Sequence, residues 1–243
     1  MREIVLDTET TGFDPNEGDR IVEIGAVELM RHVPTGRTYH QYINPQRSMP
    51  EEAFGVHGIG PDLLDPPQEP KPGQETLRDK PVFAEIAQEF VDFVGDAKLV
   101  IHNAAFDMKF LNAELGWIKR PLLPMDQAID TLAIARGKFP GSPASLDALC
   151  RRFGIDNSSR TLHGALLDSE ILAEVYLELI GGRQPDFVLS AAAQTTTDGA
   201  AGNGWRPAPR PQPLKPRLTK EESVAHEAFV AKLGDAAVWK KLA

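Results

Sequence analysis

Short apolar runs alternate with longer stretches that repeat apolar residues every three or four positions through most of the first 180 residues. Runs such as 4–6 and 99–101 predict buried strands, and the repeat of Leu167, Ile171 and Val175 predicts a helix. Strands that precede alternating strands and helices predict an α/β fold with a mixed sheet flanked by helices. The predicted elements are strand 3–9, strand 20–30, strand 38–43, helix 81–94, strand 98–102, helix 104–115, a short strand or helix around 126–135, helix 145–153 and a helix after residue 163.

Two segments depart from this alternation. Residues 44–79 are rich in proline and glycine and longer than most connections, which predicts a functional or mobile loop. Residues 205–217 contain five prolines and four basic residues but no acidic one. The wider segment 190–218 is therefore predicted to be a disordered, flexible linker, and residues 1–183 are predicted to form one domain.

The last segment, residues 219–243, again carries apolar residues at helical spacing. Thr219 and Glu222 have the spacing of a capping box, which predicts the start of a helix. An amphipathic segment after a flexible linker has no core of its own to cover, so we predict that it folds against a partner. The alternative is that it packs back on the first domain.

Charge and cysteine content narrow the class of protein. The formal net charge is −9, and residues 1–183 contain 29 acidic against 18 basic residues. This balance argues against tight unaided binding to duplex DNA, because Lys and Arg normally supply that affinity. Cys150 is the only cysteine, which excludes an internal disulfide and a thiolate zinc site. With no apparent signal peptide or membrane span, we expect a cytoplasmic protein that does not contact a membrane.

Three carboxylates occupy informative positions in the first half of the chain. Asp7 and Glu9 are two positions apart, so on a strand both side chains leave the same face. Asp107 falls in the first turn of a predicted helix, directly after a predicted strand. Each has an ordinary alternative explanation: a solvated strand end for the pair, and an acid favoured by the helix dipole for Asp107.

A fourth carboxylate, Asp168, lies beside the apolar stripe of the helix that follows His163. An unpaired charge next to a core is costly, so a cation is expected to meet it. His163 can reach the same cleft, although a lone histidine is often only a surface or helix-capping residue. If these acids converge, their repulsion requires divalent cations, which predicts a site for metal-assisted phosphodiester cleavage.

The motifs around these residues resemble a known enzyme family. LDTETTG at 6–12, HNAAFD at 102–107 and HGALLDSE at 163–170 are similar to the motifs of DEDD 3'-to-5' exonucleases, and a histidine five residues before the last aspartate is typical of the DEDDh branch. EAFGVHGI at 52–59 narrows the resemblance to the epsilon, or proofreading, subunits of bacterial DNA polymerase III. The resemblance covers about residues 3–180 and implies an RNase H-like sheet of five strands.

The resemblance also implies how the site residues act. Two divalent ions, Mg²⁺ or Mn²⁺, are the implied cofactors, with carboxylates as ligands and His163 as the general base that takes a proton from the attacking water. The implied metal ligands, which also share in catalysis, are Asp7, Glu9, Asp107 and Asp168.

Other positions match residues that meet the substrate or support the site. Glu52 and His57 match positions that contact the terminal nucleotide. Three of the metal ligands, Asp7, Glu9 and Asp168, are expected to contact the substrate as well. Asp130 matches a further recurrent acid and is predicted to support the site without being a primary ligand.

Two partners follow from the resemblance. Residues 184–189 resemble the Gln-x-x-hydrophobic-x-hydrophobic peptide that docks on the sliding clamp, with Gln184, Phe187 and Leu189 as contacts, although Phe187 departs from the more usual Leu or Met. The epsilon family binds the polymerase catalytic (alpha) subunit through its C-terminal region. This implies the same partner for residues 219–243, with Phe229, Leu233 and Trp239 as contacts.

The function implied is removal of mismatched 3'-terminal nucleotides, as 5'-monophosphates, from a single-stranded 3' end of DNA. A free-standing DEDDh nuclease that trims RNA or repairs DNA is one alternative, and an idle module that only stabilises a polymerase is another. The long linker and terminal helix favour the first interpretation over a free RNA trimmer. All five catalytic positions are filled, which counts against an idle module.

Overall fold

The computed structural model describes residues 1–158, 162–182 and 219–233. Contacts divide the chain into two units, Met1–Val188 and Leu189–Ala243. Several predictions fall outside the described residues and stay predictions: the linker 190–218, the clamp-binding peptide with Gln184, Phe187 and Leu189, and the partner contact Trp239.

Five strands form one mixed sheet, as predicted. They are β1 (Arg2–Thr10), β2 (Ile21–Met30), β3 (Val33–Tyr42), β4 (Lys98–Ile101) and β5 (Ala128–Asp130). Their order across the sheet is β3-β2-β1-β4-β5. β2 runs antiparallel to both of its neighbours, β1 and β3, whereas β4 and β5 run parallel to β1. β3 begins earlier than predicted, because Arg31 and His32 both adopt positive φ (53° and 66°) in a tight turn directly after β2.

Helices cover both faces of this sheet. They are α1 (Glu51–His57), α2 (Phe83–Val94), α3 (Ala104–Trp117), α4 (Thr131–Lys138), α5 (Leu146–Phe153) and α6 (Ala165–Leu179). Alternate side chains of β1 serve the two cores, since Ile4 and Leu6 pack with α2 and α3. Val5 packs on the opposite face, in the core that α5 and α6 complete.

Two segments differ from the sequence prediction. The helix α1 lies inside the segment 44–79 that was predicted to be a loop, because its seven residues are too few to show a helical period. This segment also packs against the body through an apolar cluster that includes Met49, Ile59 and Leu77. Between 126 and 135 the chain forms both a strand and a helix. Asp130 ends β5 and caps α4 by accepting a hydrogen bond from the Leu132 amide (2.9 Å).

The second unit contains the helix α7 (Lys220–Lys232) among its described residues. The predicted capping box is confirmed, with Thr219 Oγ1 accepting from the Glu222 amide (3.2 Å) and Glu222 Oε2 accepting from the Thr219 amide (2.8 Å). Val224 lies about 140° around the helix from Phe229, so the apolar residues of α7 do not form a single stripe. Phe229 and Leu233, four residues apart, share one exposed side.

Among the described residues, no helix is both long and apolar enough to span a membrane.

Candidate active site

The carboxyl ends of two parallel strands meet at one edge of the sheet. β1 and β4 are neighbours in parallel register, with Val5 opposite Val100. Asp7 and Glu9 lie near the end of β1, and Asp107 lies in the first turn of α3, just after β4. The chain therefore brings three carboxylates to one edge, the usual position of a ligand site in sheets with parallel strands.

The helix α6 adds a fourth carboxylate from above the sheet. Asp7 and Glu9 share the face of β1 that carries Val5, which packs in the same core as α6. Asp168 is in the first turn of α6 and is 3% exposed, while Glu9 is 8% exposed. The carboxylates of Glu9 and Asp168, which lie far apart in the sequence, are therefore both largely withdrawn from water.

Asp107 is held in place by two neighbouring elements. Its Oδ1 accepts a hydrogen bond from Thr8 Oγ1 (2.7 Å) on β1. The turn before α3 passes through Asn103, whose φ of 70° is left-handed. The amide of Asn103 donates to Asp130 Oδ1 (3.1 Å). Asp130 therefore contacts the N-cap residue of α3, four positions before Asp107.

His163 stands at the mouth of this carboxylate cluster. Its side chain is about half exposed (48%), and its Nδ1 lies 3.5 Å from Asp168 Oδ2. Its backbone amide donates to the carbonyl of Val56 in α1 (3.2 Å). One side-chain atom of each of Glu9, His163 and Asp168 lies within 4.8 Å of the others. The histidine can thus exchange a proton with a group bound between the carboxylates.

Two cavities of about 470 Å³ each meet at this edge. The first is lined by all five predicted catalytic residues, and the second is lined by Glu52 and His57. Thr8, Glu9, Phe13 and Phe106 line both cavities, so a chain-like ligand can extend from one into the other. The structure thus brings together the seven residues predicted to act in catalysis, metal binding or substrate binding.

His57 lines the second cavity with a buried ring. It is 5% exposed, and its Nδ1 accepts from the Ile59 amide (3.0 Å). Burial lowers the pKa of His57 to about 4, although the nearby Thr10 backbone opposes the shift. The neutral ring therefore carries its hydrogen on Nε2. This atom is buried and makes no hydrogen bond of good geometry within the described part of the chain.

The crowded carboxylates hold protons more tightly than isolated ones do. Burial, and then the charges of its carboxylate neighbours, raise the pKa of Asp7 well above its usual range. Burial also raises the pKa of Asp107 to about 7, against the opposing hydrogen bond from Thr8. Such a cluster is unfavourable without cations. Oxygen ligands of this kind fit hard divalent ions such as Mg²⁺, so the donor set suits a divalent-metal site.

Sequence reasoning missed several residues of the site. Phe13, Phe106 and His102 line the first cavity without having been predicted. Glu23 on β2 is 2% exposed and adds to the charges that raise the pKa of Asp7. Its signal in the sequence was a lone charge within the apolar strand 21–27.

Comparison with known proteins agrees with this arrangement. The family model RNase_T, described as exonuclease, matches residues 4–176, which is more than half of the chain. The chain belongs to this exonuclease family. A protein of Rickettsia felis named DNA polymerase III subunit epsilon is 49% identical over 236 residues, which are 96% of this chain and 97% of that protein. The protein of the same name from Escherichia coli K12 is 45% identical over 250 residues, with 98% and 97% coverage.

Solved exonuclease structures share the fold at low sequence identity. The nuclease domain of 3'hExo, a DEDDh family member bound to rAMP, has a TM-score of 0.58 at 20% identity, covering 74% of this chain and 91% of that chain. Exonuclease X in complex with 5' overhanging duplex DNA has a TM-score of 0.52 at 23% identity, covering 73% and 90%. The RNase H-like prediction is thereby confirmed, and the exonuclease family to which the chain belongs depends on divalent metal ions.

Proposed function

We propose that this chain is the proofreading subunit of a bacterial replicative DNA polymerase, and that it removes mismatched 3'-terminal nucleotides as 5'-monophosphates. The observation that carries the proposal is the cavity in which the four predicted carboxylates and His163 meet. Relatives named DNA polymerase III subunit epsilon match nearly the whole chain, which supports assignment to a replicase over a free-standing RNA-trimming nuclease.

The four carboxylates are proposed to hold two Mg²⁺ or Mn²⁺ ions. When bound, such ions activate water and neutralise the charge that develops on the phosphate and on the departing 3'-oxygen. The protein's contribution is to keep the ligands close together before the ions arrive, at the cost of their mutual repulsion. The raised pKa values of Asp7 and Asp107 support this role. The proposed ligands are Asp7, Glu9, Asp107 and Asp168.

His163 is proposed to be the general base. Its exposed ring lies beside Asp168 and Glu9, where it can accept a proton from the attacking water. His163 lies two residues before the first residue of α6, and its amide contact with Val56 limits its movement. Asp130 is proposed to support the turn before α3 and not to bind metal.

Glu52 and His57 are proposed to bind the terminal nucleotide in the second cavity. The His57 Nε2 hydrogen can be donated to a hydroxyl or a phosphate oxygen of the substrate. Glu52, which lines the same cavity, can accept a hydrogen bond from a sugar hydroxyl. Phe106 lines both cavities and offers an apolar surface for the sugar or base.

Two partners complete the proposal. Phe229 and Leu233 on the exposed side of α7, together with Trp239, are proposed to bind the polymerase catalytic (alpha) subunit. Residues 184–189, with Gln184, Phe187 and Leu189, are proposed to bind the sliding clamp. The proposed boundaries are an exonuclease domain 1–183, the clamp peptide, a linker 190–218 and a polymerase-binding segment 219–243.

The full chain should degrade a primer with a mismatched 3' end faster than a matched primer on the same template. A mismatched end separates from the template more easily, so it delivers single-stranded DNA to the cavity. Release of 5'-monophosphate from the labelled end is measured with Mg²⁺ or chelator, each with and without co-expressed catalytic subunit.

Preference for an RNA primer, or equal cleavage of both ends with the polymerase present, would contradict proofreading.

A Phe229→Ala and Leu233→Ala double variant should keep full activity on short single strands but lose co-purification with the catalytic subunit. Retained co-purification would remove α7 from the proposal.

The pH dependence of stability provides an independent test of the carboxylate cluster. Without metal, burial raises the pKa of Asp107 to about 7, whereas an isolated aspartate has a pKa of about 4. The folded state therefore binds more protons between these values, so this group lowers the free energy of unfolding as the pH rises through that window. Asp107→Asn removes the effect. We expect the variant to melt roughly 5 °C above the parent at neutral pH in chelator, equivalent to about 2 kcal/mol.

In Mg²⁺ the parent should instead melt above the Asp107→Asn variant, because the parent gains more stability from the bound ions than the variant does. Thermal unfolding in chelator and in Mg²⁺ provides the measurement. Asp126→Asn makes the same substitution at an exposed residue outside the cluster, and it should leave the melting temperature unchanged both in chelator and in Mg²⁺. An Asp107→Asn variant that melts below the parent in chelator would show that the buried charge of Asp107 does not destabilise the folded chain.

A further inference from the structure

A buried glutamate on β2 joins the sheet to the start of α6. Glu23 is 2% exposed and lies directly opposite Glu9 in the register of β1 and β2. Its Oε2 accepts a hydrogen bond from the backbone amide of Ala165, the first residue of α6 (2.9 Å). Its Oε1 lies 2.7 Å from Nε2 of His40 on β3. The side chain therefore connects three elements.

The helix α6 lacks a cap of its own. Gly164 occupies the N-cap position and has no side chain that could accept from the first amides. A carboxylate at this end is also favoured by the helix dipole. Glu23 thus supplies from the sheet the interaction that the local sequence of the helix does not provide.

The start of α6 also approaches β2 very closely. A Cβ atom on Gly25 would lie 2.1 Å from the carbonyl carbon of Ala165, so only glycine allows this approach. One turn further along, Ser169 Oγ donates to the carbonyl of Gly25 (2.9 Å). These contacts and the Glu23 cap fix the turn of α6 that carries Asp168, and His163 lies directly before it.

We infer that Glu23 is a positioning residue, whose carboxylate fixes the start of α6 so that Asp168 and His163 face the carboxylates of β1. This inference rests on the proposed function, because the position of α6 matters for activity only if those side chains act together. Glu23 acts through α6 and is not itself a ligand or a base.

A buried glutamate can also serve stability alone, and the chain offers a matched control for that role. Glu3 is 0% exposed, and its Oε1 accepts from the hydroxyl of Tyr176 (2.9 Å) near the other end of α6. Glu3→Ala therefore removes a buried contact between the same sheet and the same helix, about two turns away from Asp168.

The test compares the full parent chain with Glu23→Ala, Glu23→Gln and Glu3→Ala. For each, kcat and KM are measured on a single-stranded DNA oligomer in saturating Mg²⁺, Mn²⁺ affinity is measured without DNA, and thermal unfolding is recorded. Glu23→Ala should lower kcat and weaken Mn²⁺ binding by about 10- to 100-fold with little change in KM, as expected for a support of metal ligands.

Glu23→Gln keeps an acceptor for the Ala165 amide and should stay within about threefold of the parent in kcat and Mn²⁺ affinity. Glu3→Ala should lower the melting temperature but keep kcat and Mn²⁺ affinity within about twofold. If Glu23→Ala does not fold, Glu23→Asp takes its place, because its side chain is one methylene too short to reach the amide.

Two outcomes would overturn the inference. In the first, Glu23→Ala loses no more kcat and Mn²⁺ affinity than Glu3→Ala does. In the second, Glu23→Gln is as impaired as Glu23→Ala. An inactive parent would instead contradict the proposed function. In that case the Mn²⁺ affinities would still decide whether Glu23 positions the carboxylates.

Discussion

Asp7→Asn should lower the rate of nucleotide release by at least about 10³-fold, the equivalent of about 4 kcal/mol of charge stabilisation. The substitution preserves the size of the side chain but removes one of four negative charges that are proposed to hold the metal ions. Asp7 is also the carboxylate whose pKa all the others raise, which indicates a central position in the cluster. The rate is measured as release of 5'-monophosphate from an end-labelled single-stranded oligomer.

The loss should persist at saturating DNA, because the defect lies in the chemical step. Mn²⁺ affinity measured without DNA should fall in parallel, which distinguishes a lost ligand from a general loss of folding. Asp126→Asn, the same substitution at an exposed residue outside the cluster, should keep the parent rate. Full activity of Asp7→Asn would exclude this carboxylate as a ligand.

His163→Ala should lower kcat by roughly 10²- to 10⁴-fold, the usual contribution of a general base. In contrast to Asp7→Asn, it should leave Mn²⁺ affinity nearly intact, because the ring stands at the exposed mouth of the cluster.

A histidine outside the cavity provides the control for this substitution. His32 lies in the turn between β2 and β3 with a positive φ of 66°, so His32→Asn preserves the backbone preference. This variant should keep both the kcat and the Mn²⁺ affinity of the parent. A His163→Ala variant with the parent rate at neutral pH would refute the assignment of the base.

Much of the sheet could be predicted because its signal is local. The runs at 4–6 and 99–101 are apolar on both faces, as strands covered on both sides must be. The helix α6 could be predicted because fifteen residues are enough to show the 3.6-residue period. The seven-residue α1 escaped prediction because a single short helix shows less than two full periods.

The candidate site could be predicted from the sequence for a different reason. Asp7, Glu9, Asp107, His163 and Asp168 occur in motifs whose order and spacing resemble a known family, so the family pattern linked residues that no local rule could link. Glu23 belongs to no such pattern in the sequence. Its partner Ala165 is 142 residues away, so only the folded chain shows that it caps α6.

By itself, the sequence determined which residue types reach which face of each strand and helix, because alternation and helical period are properties of neighbouring residues. It also determined the chemistry available, since carboxylates and a histidine are suited to hard cations and proton transfer. Only the tertiary structure decided that these groups line one cavity, that their carboxylates are withdrawn from water, and that His57 presents a buried donor. Such properties depend on distances between residues far apart in the chain, and packing of the whole sheet and its helices sets those distances.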